Sequence, residues 1–453
     1  MQHRALRNED PKEGEMLGLN EIENRGLFEE ICSMNRLEDS FASVLKNKGA
    51  PGVDGITVEK FSDNLRKELS SLQKDLLEWT YEPQPVRRVE IPKAKGVRKL
   101  GIPTVRDRVV ASAIKEVLEP IFEEKFSENS YGFRPSKGQQ QAIAAAQRIV
   151  GSGKEYVVDI DLAQFFDTVC HDRLIYRLSQ SISDKRVLKL IGMMLRSGVL
   201  EYGLVKPTAE GTVQGSPLSP LLSNIVLDEL DKELERRGLE YARFADDCNV
   251  FVRSQAAAER VMKSVKKFIE KKLKLKVNED KSKVAKSDKV KFLGMTILKG
   301  SIAVAKQSLK KAMVKVKDLI PRGTDQTLEQ TLEAVNRWYR GWSNYYRMTC
   351  YPSQLRAIEA HVRRRLRARI VVQQKRPRHL VKKLIKMGVE KGLARRTAYS
   401  RKGPWATSHM RGLEYAFPNE WFKRKGQRIF SNEDLPHWFE LKVWIKLTEE
   451  PCT

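Results

Sequence analysis

From Tyr156 to Leu162 the chain reads Tyr-Val-Val-Asp-Ile-Asp-Leu, an apolar, β-branched run that predicts a buried strand. In Arg243-Phe244-Ala245-Asp246-Asp247-Cys248-Asn249-Val250-Phe251-Val252, one apolar run ends and another begins at two adjacent acids. That pattern predicts a β-hairpin with the carboxylates at its turn. Elsewhere helical spacing dominates, and helices are expected over residues 19–34, 105–122, 138–150, 172–200 and 256–275. In the last of these, Val261, Val265, Phe268, Ile269 and Leu273 recur at helical spacing beneath a lysine-rich outer face. Three further helices, 309–319, 328–346 and 352–372, are separated by breaks that contain Pro321, Gly323 and Pro352. In the third, Ile358, Val362, Leu366 and Ile370 recur every four residues, which predicts that the intervening arginines lie on the remaining surface.

Two like charges at a turn between apolar strands repel, and need water or a cation. A divalent metal resolves the conflict, so the Asp246-Asp247 hairpin is a candidate platform for phosphoryl transfer. Nucleotide joining by the two-metal route needs carboxylates from separate strands around two Mg²⁺ ions about 3.5–4 Å apart. The strand at 156–162 offers a third acid, from Asp159 or Asp161. These stand two residues apart and so face the same way; spacing does not choose between them.

Charge narrows the partners. The 453 residues carry a net charge of +26, the electrostatic footprint of a nucleic-acid binder. Residues 301–453 hold 33 Lys and Arg against 13 Asp and Glu, so most of the excess lies in the C-terminal third. No acid occurs between Glu359 and Glu390, and arginine's planar fork suits phosphate. From residue 373 onward basic segments alternate with aromatics, a pattern suited to nucleic acid through charge and stacking. No long uncharged apolar run exists, so no membrane is expected as a partner. The five cysteines are scattered, with no CxxC spacing, and read as reduced thiols in a cytosolic protein without a zinc site. The N-terminus is polar and charged, unlike a secretion signal.

Several blocks, in order, resemble bacterial group II intron-encoded reverse transcriptases. Asp161 through Phe166-Asp167 looks like their first catalytic motif, and Phe244-Ala245-Asp246-Asp247 resembles their Tyr-x-Asp-Asp box. Gln214-Gly215-Ser216-Pro217-Leu218-Ser219-Pro220-Leu221-Leu222-Ser223-Asn224 is similar to their fourth sequence block. Further matches are Gly49 to Gly55, Arg87 to Lys93, Leu100 to Thr104, Tyr131-Gly132-Phe133-Arg134-Pro135, Phe292-Leu293-Gly294 and Gly341 to Tyr346. Together they cover roughly residues 35 to 420. Nothing resembles the His-Asn-His nuclease of some relatives, so target-strand cleavage is not expected; the type resembled most is the group IIC-like one.

The resemblance implies an α+β fold of right-hand polymerase architecture: fingers, a palm with an antiparallel sheet, a helical thumb and a small basic C-terminal domain. The expected division is an N-terminal extension over 1–35, fingers over 36–155, palm over 156–303 with fingers elements at about 172–210, thumb over 304–372, and a basic DNA-binding region over 373–453. It selects Asp161 over Asp159, giving Asp161, Asp246 and Asp247 as catalytic residues and Asp161, Leu162, Asp246 and Asp247 as ligands of two Mg²⁺ ions. Phe166 is expected to exclude a ribose 2′-OH. Lys93, Arg98, Gln214, Gly215 and Lys281 are expected near the incoming nucleotide. Arg87, Arg134, Arg363, Arg364, Arg367, Lys375 and Arg376 are the candidate nucleic-acid contacts. Implied partners are an RNA template, a DNA or RNA primer, dNTPs, a cognate group II intron RNA and target DNA, with a maturase role beside the polymerase. Two other readings share these features: a domesticated relative in DNA repair or phage defence, and a non-catalytic RNA-binding splicing factor. Phe244 departs from the family's usual tyrosine by a single hydroxyl.

Overall fold

Thr104 starts the helix around which the first half of the chain is organised. Its hydroxyl accepts the Asp107 N–H and donates to the Asp107 carboxylate, satisfying a backbone donor at the buried start of the helix. Twelve of the helix's 19 residues are buried, among them the polar Asp107, Arg108 and Ser112. The molecule is known here as a computed structural model describing residues 26–92, 97–201, 204–206 and 210–426. It divides into two compact units, residues 1–149 with 154–285, and residues 150–153 with 286–453.

The first unit runs through α1 (Leu27–Cys32), α2 (Met34–Asn47), α3 (Val58–Asp63), α4 (Leu65–Leu77), β1 (Val86–Pro92), β2 (Val97–Ile102), α5 (Val105–Glu123) and α6 (Gln139–Gly151). It continues with β3 (Tyr156–Ile160), α7 (His171–Ser179), α8 (Lys185–Leu195), β4 (Val199–Glu201), β5 (Leu204–Lys206), α9 (Ser219–Arg236), β6 (Glu240–Phe244), β7 (Asp247–Val252), α10 (Gln255–Phe268) and β8 (Lys283–Lys286). One four-stranded sheet has the order β2-β1-β4-β5 and the other β6-β7-β3-β8. In the second, β3 lies antiparallel to β7 and β7 to β6, so the fold is α+β with its candidate acids on an antiparallel sheet. Val158, Ile160, Val250 and Val252 of that sheet join α5, α9 and α10 residues in one core.

The expected helix over 172–200 is instead two helices and a strand. The Asp184 side chain accepts the Arg186 N–H and caps α8 as a new start, and the chain is extended again by Val199. The helix expected to 275 ends as an α-helix at Phe268; a π turn over Ile269–Leu273 follows, closed by Lys274 in a left-handed conformation. Of the helix expected over 19–34, residues 19–25 lie outside the described residues. Ser33 then breaks the remainder, because its extended backbone ends α1 while its hydroxyl caps α2.

The second unit holds the hairpin β9 (Met295–Leu298) and β10 (Ser301–Val304), then α11 (Lys306–Leu319), α12 (Leu328–Tyr346) and α13 (Pro352–Gln373). Short helices follow: α14 (Pro377–Lys386), α15 (Lys391–Ala398), α16 (Pro404–Thr407), α17 (Arg411–Ala416) and α18 (Asn419–Arg424). The hairpin belongs to the same compact unit as these helices, to which it is tied. Ser308 donates to the Gly294 carbonyl, Tyr345 to the Leu293 carbonyl, and the Cys350 N–H to the Ile302 carbonyl.

Helix α13 overturns one expectation. Ile358, Val362, Leu366 and Ile370 are buried as their spacing predicts, but Arg365, Arg367 and Arg369 are buried too. Their guanidiniums serve as donors to free carbonyls of neighbouring segments: Arg365 to Ile320, Arg367 to Phe417, and Arg369 to Gln326. A helix packed on most sides has no polar face to spare, so its cations bond carbonyls where neighbouring segments leave them open: the ends of two helices at Ile320 and Phe417, and Gln326 just before the start of α12.

Candidate active site

The site is built on the ends of β3 and β7. Their register sets Asp159 opposite Asn249 and Ile160 opposite Cys248, so the next residues along, Asp161 and Asp247, are neighbours. Phe244 pairs with Asp247, leaving Ala245 and Asp246 as the two-residue turn, with Ala245 at φ 56°. Asp246 is exposed, while Asp161 and Asp247 are half-buried. Asp159 pairs with Asn249, two register positions further into the strand.

Two neighbours hold Asp161. Its N–H donates to the Ser282 hydroxyl at 3.0 Å, and Lys281 Nζ lies 3.2 Å from its Oδ1. The Asp161 carbonyl accepts the Asn278 N–H and the Ala163 N–H reaches Lys276, so Leu162 is bridged to Val277. Asn249, wholly buried, donates from Nδ2 to Asp247 Oδ1 at 3.2 Å.

Beneath the turn lies Arg243, which is 0% exposed. Its Nε donates to Asp231 Oδ1 at 2.8 Å, its Nη2 to Ser130 Oγ at 2.7 Å, and its Nη1 to Asn224 Oδ1 and the Ala245 carbonyl at 3.1 and 3.0 Å. Burial opposes its charge, but the Asp231 carboxylate more than offsets that and holds the guanidinium above its ordinary range. Asn224 and Asp231 are two helical turns apart on α9, which places both against β6. Asn224 also donates to the Gly132 carbonyl at 2.9 Å. Gly132 itself packs on the turn: a Cβ there would meet the Ala245 nitrogen at 2.2 Å. Arg243, Asp231, Asn224, Asn249 and Ser282 were not singled out from the sequence. The available signal was Arg243 itself, a lone cation inside an apolar strand, where an unpaired charge is prohibitively costly.

The candidate nucleotide residues are dispersed among neighbouring loops. Phe166 is half-buried in a tight turn over Phe165–Asp167, its ring edge-on to Phe165 at 5.3 Å. The Gln214 carbonyl accepts the Gly101 N–H. Gly215 has φ 132°, and a Cβ there would meet the Gly101 carbonyl oxygen at 2.4 Å, so backbone packing inside the protein already requires glycine at this position. Arg98 is exposed on β2 opposite Ile91, and Lys93 lies outside the described residues.

The candidate nucleic-acid contacts separate into two groups. Lys375 and Arg376 are exposed. Arg87 is half-buried, with Nε on the Pro51 carbonyl at 3.0 Å. Arg363 stands 3.8 Å from Glu359, and Arg364 lies over the Trp405 ring at 3.9 Å. Arg134 and Arg367 are corrections to the expected surface placement. Arg134 is ion-paired to Glu123 and donates to the Ser130 carbonyl, and Arg367 is buried against Phe417 and the Phe422 ring. Both guanidiniums are consumed by internal partners.

Carboxylate oxygens suit a hard divalent cation. Asp161, Asp246 and Asp247 fit that chemistry, and the exposed Asp246 leaves the site open to an ion and its water. Among the described residues, no group of three or more His, Cys, Asp or Glu side chains is gathered closely enough to hold a metal ion by itself.

Comparison with known proteins adds the following. Residues 91–297 match the family described as reverse transcriptase (RNA-dependent DNA polymerase), and residues 309–387 match the group II intron, maturase-specific domain. Protein YkfC of Escherichia coli (strain K12) is 34% identical over 305 residues, covering 58% of this chain and 80% of that protein. Group II intron-encoded protein LtrA of Lactococcus lactis subsp. cremoris is 30% identical over 327 residues, covering 57% of this chain and 54% of LtrA. The chain thus spans about half of LtrA's length. A solved structure, a partial Cas6-RT-Cas1–Cas2 complex, is 25% identical over 54% of this chain and 42% of that one, with a TM-score of 0.36.

Proposed function

The chain belongs to the group II intron family of reverse transcriptases, and we propose that it copies RNA into DNA by extending a primer 3′-OH with deoxynucleoside triphosphates. The observation that carries this reading is the strand register that sets Asp161 beside the Asp246-Asp247 turn. Asp161, Asp246 and Asp247 would hold two Mg²⁺ ions, with the Leu162 carbonyl as a further ligand. The ions would activate the primer 3′-OH and neutralise the triphosphate and its leaving pyrophosphate.

The remaining roles belong to the chain's own residues. Lys281, at 3.2 Å from Asp161, balances that carboxylate's charge and stands close enough to contact a phosphate. Arg98 and Lys93 offset charge on the triphosphate. The Phe166 ring excludes a 2′-OH, and Gln214 with Gly215 forms the opposite wall. Residues 36–155 act as fingers, 156–303 as palm and 304–372 as thumb, in the right-hand arrangement of polymerases. Lys375 and Arg376 contact the nucleic-acid backbone.

A maturase role, binding a cognate group II intron RNA and target DNA, is supported by the maturase-specific match over residues 309–387 and by the basic C-terminal third. No described helix is long and apolar enough to cross a membrane; the proposed place of action is the bacterial cytosol.

Primer extension on an RNA template with Mg²⁺ and dNTPs, comparing wild type with Asp246→Ala, tests the reading. Full-length cDNA from wild type alone is expected. Activity that survives the substitution would overturn the metal platform. Tight RNA binding without extension in either protein would leave a splicing factor.

A further inference from the structure

His171 begins α7 and is 4% exposed, a polar ring placed where the fold supplies it a single task. Its Nε2 lies 2.6 Å from the Gly211 carbonyl, so the ring donates there and its tautomer carries the proton on Nε2. The bond closes a small latch between two segments far apart in sequence. On one side is the turn that carries Phe166; on the other is the segment that leads into Gln214-Gly215.

The latch has further rungs. The Thr212 N–H donates to the Phe166 carbonyl at 2.6 Å, and the Gly211 N–H to the Val169 carbonyl at 2.7 Å. Cys170 is bridged antiparallel to Glu210. Gly211 has φ 97°, and a Cβ on it would meet the Phe166 and Asp167 carbonyl oxygens at 3.0 Å, so the two backbones lie in close contact. Beyond the latch, the Gln214 carbonyl is fixed by the Gly101 N–H. The carbonyl of Phe166 is therefore bonded to a residue two positions before Gln214, and the distance between the ring and the opposite wall is set through that rung.

We propose that His171 is a positioning residue for sugar discrimination, fastening the 210–212 segment to the Phe166 turn so that the ring stands at a fixed distance from Gln214 and Gly215. This rests on the reading of Phe166 as the group that excludes a 2′-OH. A gate works only where its position is held to a fraction of an ångström, because a hydroxyl adds little more than an oxygen's width. Without the His171 donor, the Gly211 carbonyl loses its buried partner and that rung of the latch is lost. The ring can then retreat and admit a ribonucleotide.

The test is single-nucleotide incorporation by the full chain on an RNA template, read as the kcat/KM ratio for a dNTP against the matching rNTP. A merely structural defect lowers the active fraction for both nucleotides alike and leaves that ratio unmoved. His171→Phe, which keeps a ring but no nitrogen, is expected to lower the ratio on the order of tenfold. His171→Gln, which retains an N–H of similar reach, is expected to recover most of it. Phe166→Val serves as the reference for the gate itself. If Phe166→Val lowers the ratio and His171→Phe does not, the latch is overturned and the gate stands. An unchanged ratio in Phe166→Val would sink the gate, and this proposal with it. Should His171→Phe fail to fold, His171→Leu, which keeps apolar bulk but has no donor, decides by the same measurement: a lowered ratio keeps the latch, and an unchanged ratio overturns it.

Discussion

Arg243 and Asp231 form an ion pair from which water is wholly excluded: both side chains are 0% exposed, and Nε stands 2.8 Å from Oδ1. The pair lies directly under the turn that carries Asp246 and Asp247, with the Ala245 carbonyl as another of the guanidinium's acceptors. A buried charge without its partner is among the most destabilising defects a core can carry.

Asp231→Asn or Arg243→Met should therefore lower the unfolding free energy by about 3–5 kcal/mol, measured by urea denaturation. Among molecules that remain folded, the turn loses its anchor and extension should also slow. A loss within 1 kcal/mol or so would mean that the neighbours, Ser130 and Asn224, carry the anchoring instead.

Gly132→Ala places a methyl against the backbone nitrogen of Ala245, at 2.2 Å before relaxation. The turn must shift, at a stability cost of roughly 1–3 kcal/mol. Since Asp246 is the next residue, kcat should fall by more than roughly tenfold. Template-primer affinity should change little, because no charge is altered; a fall in affinity with kcat intact would contradict this placement.

The basic residues in the arginine-rich helix and just after it divide by burial, and salt dependence can read the division. Lys375→Gln and Arg376→Gln, at exposed positions, should each reduce the slope of log K against log salt by about one. Arg367→Met should leave the slope unchanged and lower the melting temperature instead, since its guanidinium bonds the Phe417 carbonyl inside the second unit. A changed slope in Arg367→Met would return that residue to the nucleic-acid surface.

Thiol labelling near pH 8 should mark the exposed Cys350 and spare Cys32 and Cys248 until denaturant is added. Burial pushes the Cys32 thiol up to about 12, and pushes that of Cys248 up as well. The thiolate, which is the reactive form, is therefore scarce at both. Mass spectrometry of labelled peptides gives the order directly, and early modification of Cys248 would show that the β3–β7 sheet opens.

The sequence determined the elements whose physics is local. The β-branched run at 156–160, the hairpin with its acids at the turn, and the helices from 105, 138, 328 and 352 follow from periodicity, caps and breaks, and each forms where that periodicity placed it. Family motifs singled out Asp161, Asp246 and Asp247 by order and spacing alone. Even the break in 172–200 was written there, in Asp184 as a cap, but a cap is decided by whether the backbone turns at that point, and periodicity does not register it.

What only the tertiary structure decided is which polar groups face inward. Arg134, Arg365, Arg367 and Arg369 look in the sequence like cations for a polyanion, yet each is buried on internal acceptors, those of the three α13 arginines coming from distant segments. Gly215 suggested a ligand's approach, whereas the Gly101 carbonyl occupies the space its missing side chain leaves. His171 drew no notice, because the Gly211 carbonyl that gives it a role comes 40 residues later. A hydrophobic position is legible because burial is a property of the residue. A buried polar position is not, because it is tolerable only when a partner, remote in sequence, arrives at hydrogen-bonding distance.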